Sequence, residues 1–122
     1  MRHIYILLLS IFLCSCTEQF KYISVEEFNG FSDDEFELLD VRTLEEFQSG
    51  FILGATNIDF FSADFIDQII EFDSNLNLIL YCRTDNRSSK SAKILADNNY
   101  KNIYVIKGGI EQWIGQGNPV SF

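Results

Sequence analysis

The sequence predicts a single α/β domain with a central, mainly parallel, five-stranded sheet flanked by helices. Three observations carry this. Short apolar segments alternate along the chain with segments of helical period, the pattern of strand–helix–strand units with right-handed crossovers. Two of the apolar segments, Leu76 to Tyr81 and Ile103 to Ile106, run on without polar alternation, as strands covered on both faces do. The length of 122 residues, reduced to 107 when residues 1–15 are set aside, suits one compact domain and not two.

The first residues read as an address. Met1-Arg2-His3 is a short basic leader, and Ile4 to Leu13 is almost wholly apolar. A bilayer-spanning helix needs about 20 apolar residues, so this run is too short to span and suits a secretory signal core. It closes in Leu13-Cys14-Ser15-Cys16, which resembles a bacterial lipobox. The expected organisation is a lipoprotein signal peptide over 1–15, a lipid-anchored linker over 16–21 that begins at an acylated Cys16, and the folded domain over 22–122. That resemblance implies a membrane partner through the N-terminal lipid and a place in the bacterial cell envelope, on the periplasmic side. Thr17 stands where many enteric-type lipoproteins of the inner membrane carry aspartate, so the outer membrane is expected if the source follows that rule.

Within the domain, Tyr22-Ile23 supplies a first strand and Phe36 to Val41 a second. Thr43 to Ser49 is a short helix, with Thr43 as N-cap and Glu46 as its capping-box partner. Thr56 to Ile58 is a short strand after a turn at Gly54. Ala63 to Phe72 has apolar residues at helical spacing, Phe65, Ile66, Ile69 and Ile70. Leu76 to Tyr81 is the next strand, and Ser88 to about Asn98 the next helix, with Ser88, Ser91, Ala92, Leu95 and Ala96 on one face. After the strand at Ile103 to Ile106, Gly108-Gly109 turns the chain into a final helix over Ile110 to Ile114.

Composition removes several function classes. The net charge is −9, and would be −10 without Arg2, so a nucleic-acid partner is excluded by repulsion. Fifteen of the eighteen acidic residues lie between Glu18 and Asp73, whereas six basic residues lie between Arg83 and Lys107. Most of these charges read as solvated surface; Arg83 and Arg87 are set apart by the cysteine they flank. Of three cysteines, Cys14 leaves with the leader and Cys16 is capped by lipid, so Cys82 is the only free thiol. With His3 in the leader and no second cysteine, a zinc, haem or iron–sulfur site has no ligand set. Trp113 and the phenylalanines read as core, because aromatic side chains dominate small cores by buried area.

The stretch Tyr81-Cys82-Arg83-Thr84-Asp85-Asn86-Arg87-Ser88 carries the chemistry. A strand ends, a cysteine follows, and a short loop leads into a helix. In parallel α/β sheets, ligands bind beyond the carboxyl ends of strands. A tight loop there turns its N–H groups inward as an anion nest, and the helix start adds unpaired N–H groups and the positive end of its dipole. That field and the two guanidinium groups favour a thiolate at Cys82, the form in which cysteine is a nucleophile. An inert buried cysteine is the competing reading.

Four motifs in order resemble the rhodanese-like (sulfurtransferase) domain family. They are Leu39-Asp40-Val41-Arg42-Thr43-Leu44-Glu45-Glu46-Phe47, then Gly50 to Ile58 (GFILGATNI), then Tyr81 to Ser88, then Val105 to Trp113 followed by Gly117-Asn118-Pro119-Val120. The resemblance implies that Cys82 takes up a sulfane sulfur as a persulfide from a small sulfur-containing anion, of thiosulfate or polysulfide type. It then hands the sulfur to a thiol or cyanide-like acceptor, without a cofactor. The backbone amides of Arg83, Thr84, Asp85, Asn86, Arg87 and Ser88 would cradle the sulfur, while Arg83 and Arg87 attract the donor. Asp40 and Arg42 are expected to support the strand end as an ion pair. Four residues separate Cys82 from Arg87, as in sulfurtransferase loops; the related phosphatases and arsenate reductases use five.

The sequence departs from the family at a few positions. Phe51, Leu53 and Leu44 replace a usual His, Pro and Pro, and are read as structural changes. Asp85 stands where the family often carries Gly, and is expected to strain a position that favours φ > 0. Its carboxylate would oppose an anion if turned inward. Two classes therefore stay open: a sulfurtransferase or persulfide carrier, and a catalytically weak anion-binding or partner-docking module of the same fold.

Overall fold

The computed structural model describes residues 19–32, 34 and 36–122. The expected leader, with His3, and the Cys16 anchor lie outside the described residues. Among the described residues the chain order is β1 (Lys21–Ile23), α1 (Val25–Asn29), β2 (Phe36–Asp40), α2 (Leu44–Gln48), β3 (Thr56–Asn57), α3 (Phe65–Ile69), β4 (Asn77–Tyr81), α4 (Asn86–Asp97), β5 (Ile103–Ile106) and α5 (Gly109–Gly115). The five strands form one sheet in the order β1-β5-β4-β2-β3. Every strand pairing is parallel.

The unbroken apolar strands do what their composition requires. Side chains alternate across a strand, so Leu78 and Leu80 of β4 point to one face, with Phe65 and Ile69 of α3 and Ala92 and Leu95 of α4. Ile79 and Tyr81 point to the other, with Val25 and Phe28 of α1 and Ile110 and Trp113 of α5. Full burial of side chains such as Leu80 and Leu95 contributes about 1.5–3 kcal/mol each. The same alternation carries Cys82, one residue past β4, to the α3/α4 face. Trp113 is core as expected, and its Nε1 donates to the Pro119 carbonyl at 2.8 Å.

Three elements differ from the sequence reading, each for a physical reason. Helix α1 went unread. It is a single capping box, in which Glu27 N donates to Ser24 Oγ and Ser24 N to the Glu27 carboxylate, and packing of Val25 and Phe28 holds so short a helix together. Helix α3 is half its expected length, and just past its end the carbonyls of Ile70 and Phe72, turned out of helical pairing, accept from the Tyr100 hydroxyl at 2.7 and 2.5 Å. Helix α4 begins at Asn86, two residues before Ser88, and so takes in Arg87.

The topology also fixes where a ligand would sit. The chain leaves β2 toward β3 on one side of the sheet and leaves β4 toward β5 on the other. Neighbouring strands whose connections diverge leave a crevice at their carboxyl ends. Cys82 and Arg87 follow β4 at that point, and Glu46 follows β2.

Candidate active site

The loop after β4 is built from both ends. Cys82 and Arg83 give their carbonyls to the first turn of α5, accepting from Ile110 N at 3.0 Å and Glu111 N at 3.2 Å. No described peptide bond is cis, and a trans peptide sets its N–H opposite its carbonyl. The N–H groups of Arg83 and Thr84 are thereby directed away from α5. Gly109 allows so close an approach: a Cβ there would lie 2.5 and 2.7 Å from the carbonyl oxygens of Thr84 and Arg83, and nearer still to that of Cys82. Its φ of 58° is a second reason for glycine.

Asp85 is the N-cap residue of α4 at φ −136°, so the strain expected of a positive φ does not arise. Nor does its carboxylate cap the helix. It accepts from Gly108 N at 2.8 Å and lines a separate cleft with Ser24, Lys107 and Gln112. The feared inward-pointing charge is spent on holding the start of α5. The first-turn N–H groups of α4 are left without a side-chain cap, as a helix start that receives an anion requires.

Cys82 is 1% exposed, with Sγ 3.3 Å from the Ser88 hydroxyl. That hydroxyl also reaches the Asp85 carbonyl at 3.2 Å. Its one proton can go either way. With a thiol, Sγ–H donates to Ser88 Oγ, which donates to Asp85; with a thiolate, Ser88 turns its proton to the sulfur. The pair therefore accommodates both states without moving a heavy atom.

The open cleft over the sulfur measures about 450 Å³ and is lined by Glu46, Phe61, Arg83, Thr84, Asn86 and Arg87 together with Cys82. Its charges are paired. Arg87 donates from Nη1 and Nη2 to the two Glu46 oxygens at 2.6 and 2.9 Å. These bonds from Arg87 pull the Glu46 carboxyl down to about 2 and raise Arg87. Thr43 Oγ1 adds a bond to Glu46 at 3.1 Å, and the Phe61 ring lies 5.8 Å from the Arg87 guanidinium carbon. Arg83 extends into solvent, 66% exposed, 3.5 Å from Glu111.

The profile of the Rhodanese-like domain matches residues 24–116. The chain belongs to the rhodanese-like domain family. It is 35% identical over 96 residues to the uncharacterized protein YqhL of Bacillus subtilis, covering 79% of this chain and 74% of that one. It is 32% identical to the thiosulfate sulfurtransferase GlpE of Pseudomonas entomophila, over 78% of this chain and 85% of the relative. Among solved structures it resembles a rhodanese-related protein from Thermoplasma volcanium, with a TM-score of 0.72, 25% identity, and 83% and 97% of the two chains covered. At family level these relationships support a sulfurtransferase-type activity.

In this rhodanese-like domain the sequence-expected residues separate into two groups. Cys82, Arg83, Thr84, Asn86 and Arg87 come together around one cleft, with Ser88 behind the sulfur. Asp40 and Arg42 stand apart from the cleft lining. Arg42 donates from Nε and Nη2 to the Asp40 carboxylate, at distances down to 2.6 Å, and from Nη2 to the Gly50 carbonyl at 2.7 Å. Burial, together with Asp40, pushes the Tyr81 phenol up, and Tyr81 Oη accepts from Ile52 N at 3.1 Å. These bonds tie the segment after α2 to the sheet. Glu46, Phe61 and Gly109 were not read as site residues. Glu46 was visible as a cap partner and a motif residue and Gly109 as a turn and a motif residue, neither with a role at the site, while Phe61, read as core with the other phenylalanines, is 70% exposed, as Phe122 is at 86%.

Proposed function

We propose that this protein is a sulfurtransferase or persulfide carrier in which Cys82 is the nucleophile. The observation that carries the reading is Cys82 itself, lining a cleft next to an uncapped helix start, with loop N–H groups directed away from α5 and a hydroxyl 3.3 Å from the sulfur. The Cys82 thiolate attacks the outer sulfur of a donor of thiosulfate or polysulfide type. The donor's S–S bond breaks and its electron pair leaves with the remaining fragment, sulfite in the case of thiosulfate. The Cys82 persulfide then rests against the N–H groups, where charge on its terminal sulfur is stabilised without reorganisation. A thiol or cyanide-like nucleophile takes the outer sulfur and the Cys82 thiolate is regenerated. The lipobox-like leader extends this proposal to a lipid-anchored protein on the periplasmic side of a bacterial envelope membrane.

A second reading, an anion-binding or docking module with little turnover, draws on the Arg87–Glu46 pair, which takes up the one partly buried cation among the cleft-lining residues. Intact-mass spectrometry after incubation with thiosulfate or polysulfide separates the two readings. A gain of one sulfur on the parent and not on Cys82→Ser establishes the carrier. No gain with any donor in folded protein leaves the module. Incorporation of a labelled long-chain fatty acid at the processed N-terminal cysteine in cells, lost in Cys16→Ala, tests the lipid anchor.

A further inference from the structure

The charged side chains at the cleft are mostly engaged elsewhere. Arg87 is bound at both nitrogens by Glu46, Arg83 faces Glu111, and Asp85 is turned to Gly108 in the neighbouring cleft. Glu46 stays ionised because Arg87 holds its carboxyl at about 2, and Thr43 fixes it from the other side. What remains to receive an anion is a set of N–H groups and a helix start, equivalent to a fraction of one positive charge. A dianion entering this cleft meets the Glu46 carboxylate with the Arg87 guanidinium already engaged, and only Arg83, extended into solvent and loosely paired at 3.5 Å, to compensate. Phe61, 70% exposed, adds an apolar ring to the wall of the same cleft, a surface on which an organic group can pack.

We infer that the sulfur donor is a singly charged or neutral organic persulfide, R–S–SH, and that Glu46 is the positioning residue that selects it over dianionic thiosulfate by holding Arg87. This rests on the sulfurtransferase reading above. The step balances: the Cys82 thiolate attacks the outer sulfur of R–S–SH, the S–S bond breaks, and its electron pair leaves on R–S⁻. The outer sulfur and its proton stay as Cys82–S–SH. The R group then lies along Phe61 and not in water.

The test measures the rate of one-sulfur gain on Cys82 with freshly generated 2-hydroxyethyl hydropersulfide and with thiosulfate, for the parent, Glu46→Gln and Glu46→Asp. The parent is expected to load faster from the hydropersulfide. Glu46→Gln should move the ratio of the two second-order rate constants about tenfold toward thiosulfate, since one like charge is removed near the entering dianion. That gain should shrink as salt is raised. Glu46→Asp, which keeps the charge, should hold the parent's ratio. An unchanged ratio in folded Glu46→Gln, whatever the absolute rates, overturns the inference. Faster loading of the parent from thiosulfate also overturns it while leaving the sulfurtransferase reading intact. Loading from neither donor overturns both.

Discussion

Two carboxylate–guanidinium pairs lie at the carboxyl end of this sheet, and they differ in everything except chemistry. Asp40–Arg42 joins residues two apart, at 2.6 Å, with side chains 0% and 7% exposed. Glu46–Arg87 joins residues 41 apart at the same distance, with side chains 33% and 16% exposed. The first is dry, shares its donors with the Gly50 carbonyl, and lies outside the cleft lining. The second is wet and forms part of the cleft wall. A buried pair is costly to break because the surviving charge is stranded, whereas a half-exposed one can be opened cheaply. The same bond thus serves as architecture in one place and as tuning of a binding site in the other.

The largest expected effect tests the architectural pair. Arg42→Ala leaves the Asp40 carboxylate without its guanidinium partner at a fully buried position, and should cost about 3–5 kcal/mol. Against a typical stability of about 5–15 kcal/mol this is close to unfolding. Urea denaturation read by Trp113 fluorescence measures it. A loss below about 1 kcal/mol would place this pair in the same class as Glu46–Arg87 and erase the contrast.

Gly109→Ala asks how far the cleft depends on that architecture. The added Cβ collides with three loop carbonyls at φ 58°, so the loop and α5 must separate. A destabilisation of about 1–3 kcal/mol is expected. Sulfur loading of Cys82 should fall more than the loss of folded protein explains, because the separated carbonyls no longer fix the amides. Loading that tracks folded protein alone would mean the amides are set by α4 and not by α5. Ser88→Ala sharpens the point at smaller cost. It removes the hydroxyl 3.3 Å from Sγ, a charge-assisted bond of about 1.5–3 kcal/mol when the thiolate forms. Loading should slow about tenfold or more while stability changes by about 1 kcal/mol. Equal rates would show that the sulfur does not use this donor.

These contrasts also mark what the sequence could and could not disclose. The strand segments, the Thr43–Glu46 cap and the position of Cys82 were legible because they follow from local period and local bonding. The four motifs, read as a resemblance, brought Asp40, Arg42 and the Cys82-to-Ser88 stretch into view. Glu46 reaching Arg87 was not legible, since it depends on β2 and β4 being neighbours in the sheet although α2, β3 and α3 lie between them in the chain. Asp85 was misjudged for a similar reason. Its conformation and its bond to Gly108 are set by how α5 packs under the loop, a tertiary matter that no local pattern at Asp85 records. Phe61 belongs to a connection whose course is fixed by its neighbours, so its place over Arg87 was out of reach.

The smallest expected effect distinguishes the tuning pair by its response to acid. Glu46 has a carboxyl depressed from 4.5 to about 2, first by the bonds from Arg87. A depressed carboxyl contributes stability that is complete above its unfolded value, near 4.5, and is lost as pH falls through the folded value, near 2. Glu46→Gln cannot titrate, so the difference in stability between parent and variant should be flat above pH 4.5 and should shrink steadily between about 4.5 and 2. Because the site is partly solvated, the whole difference should be small, on the order of 1 kcal/mol or less. Urea midpoints at several pH values, with slopes checked for constancy, measure it. A difference that does not change across that window would mean the pair is open in solution. Arg87 would then be free to meet a dianion, and the distinction drawn between the two pairs would lose its functional half.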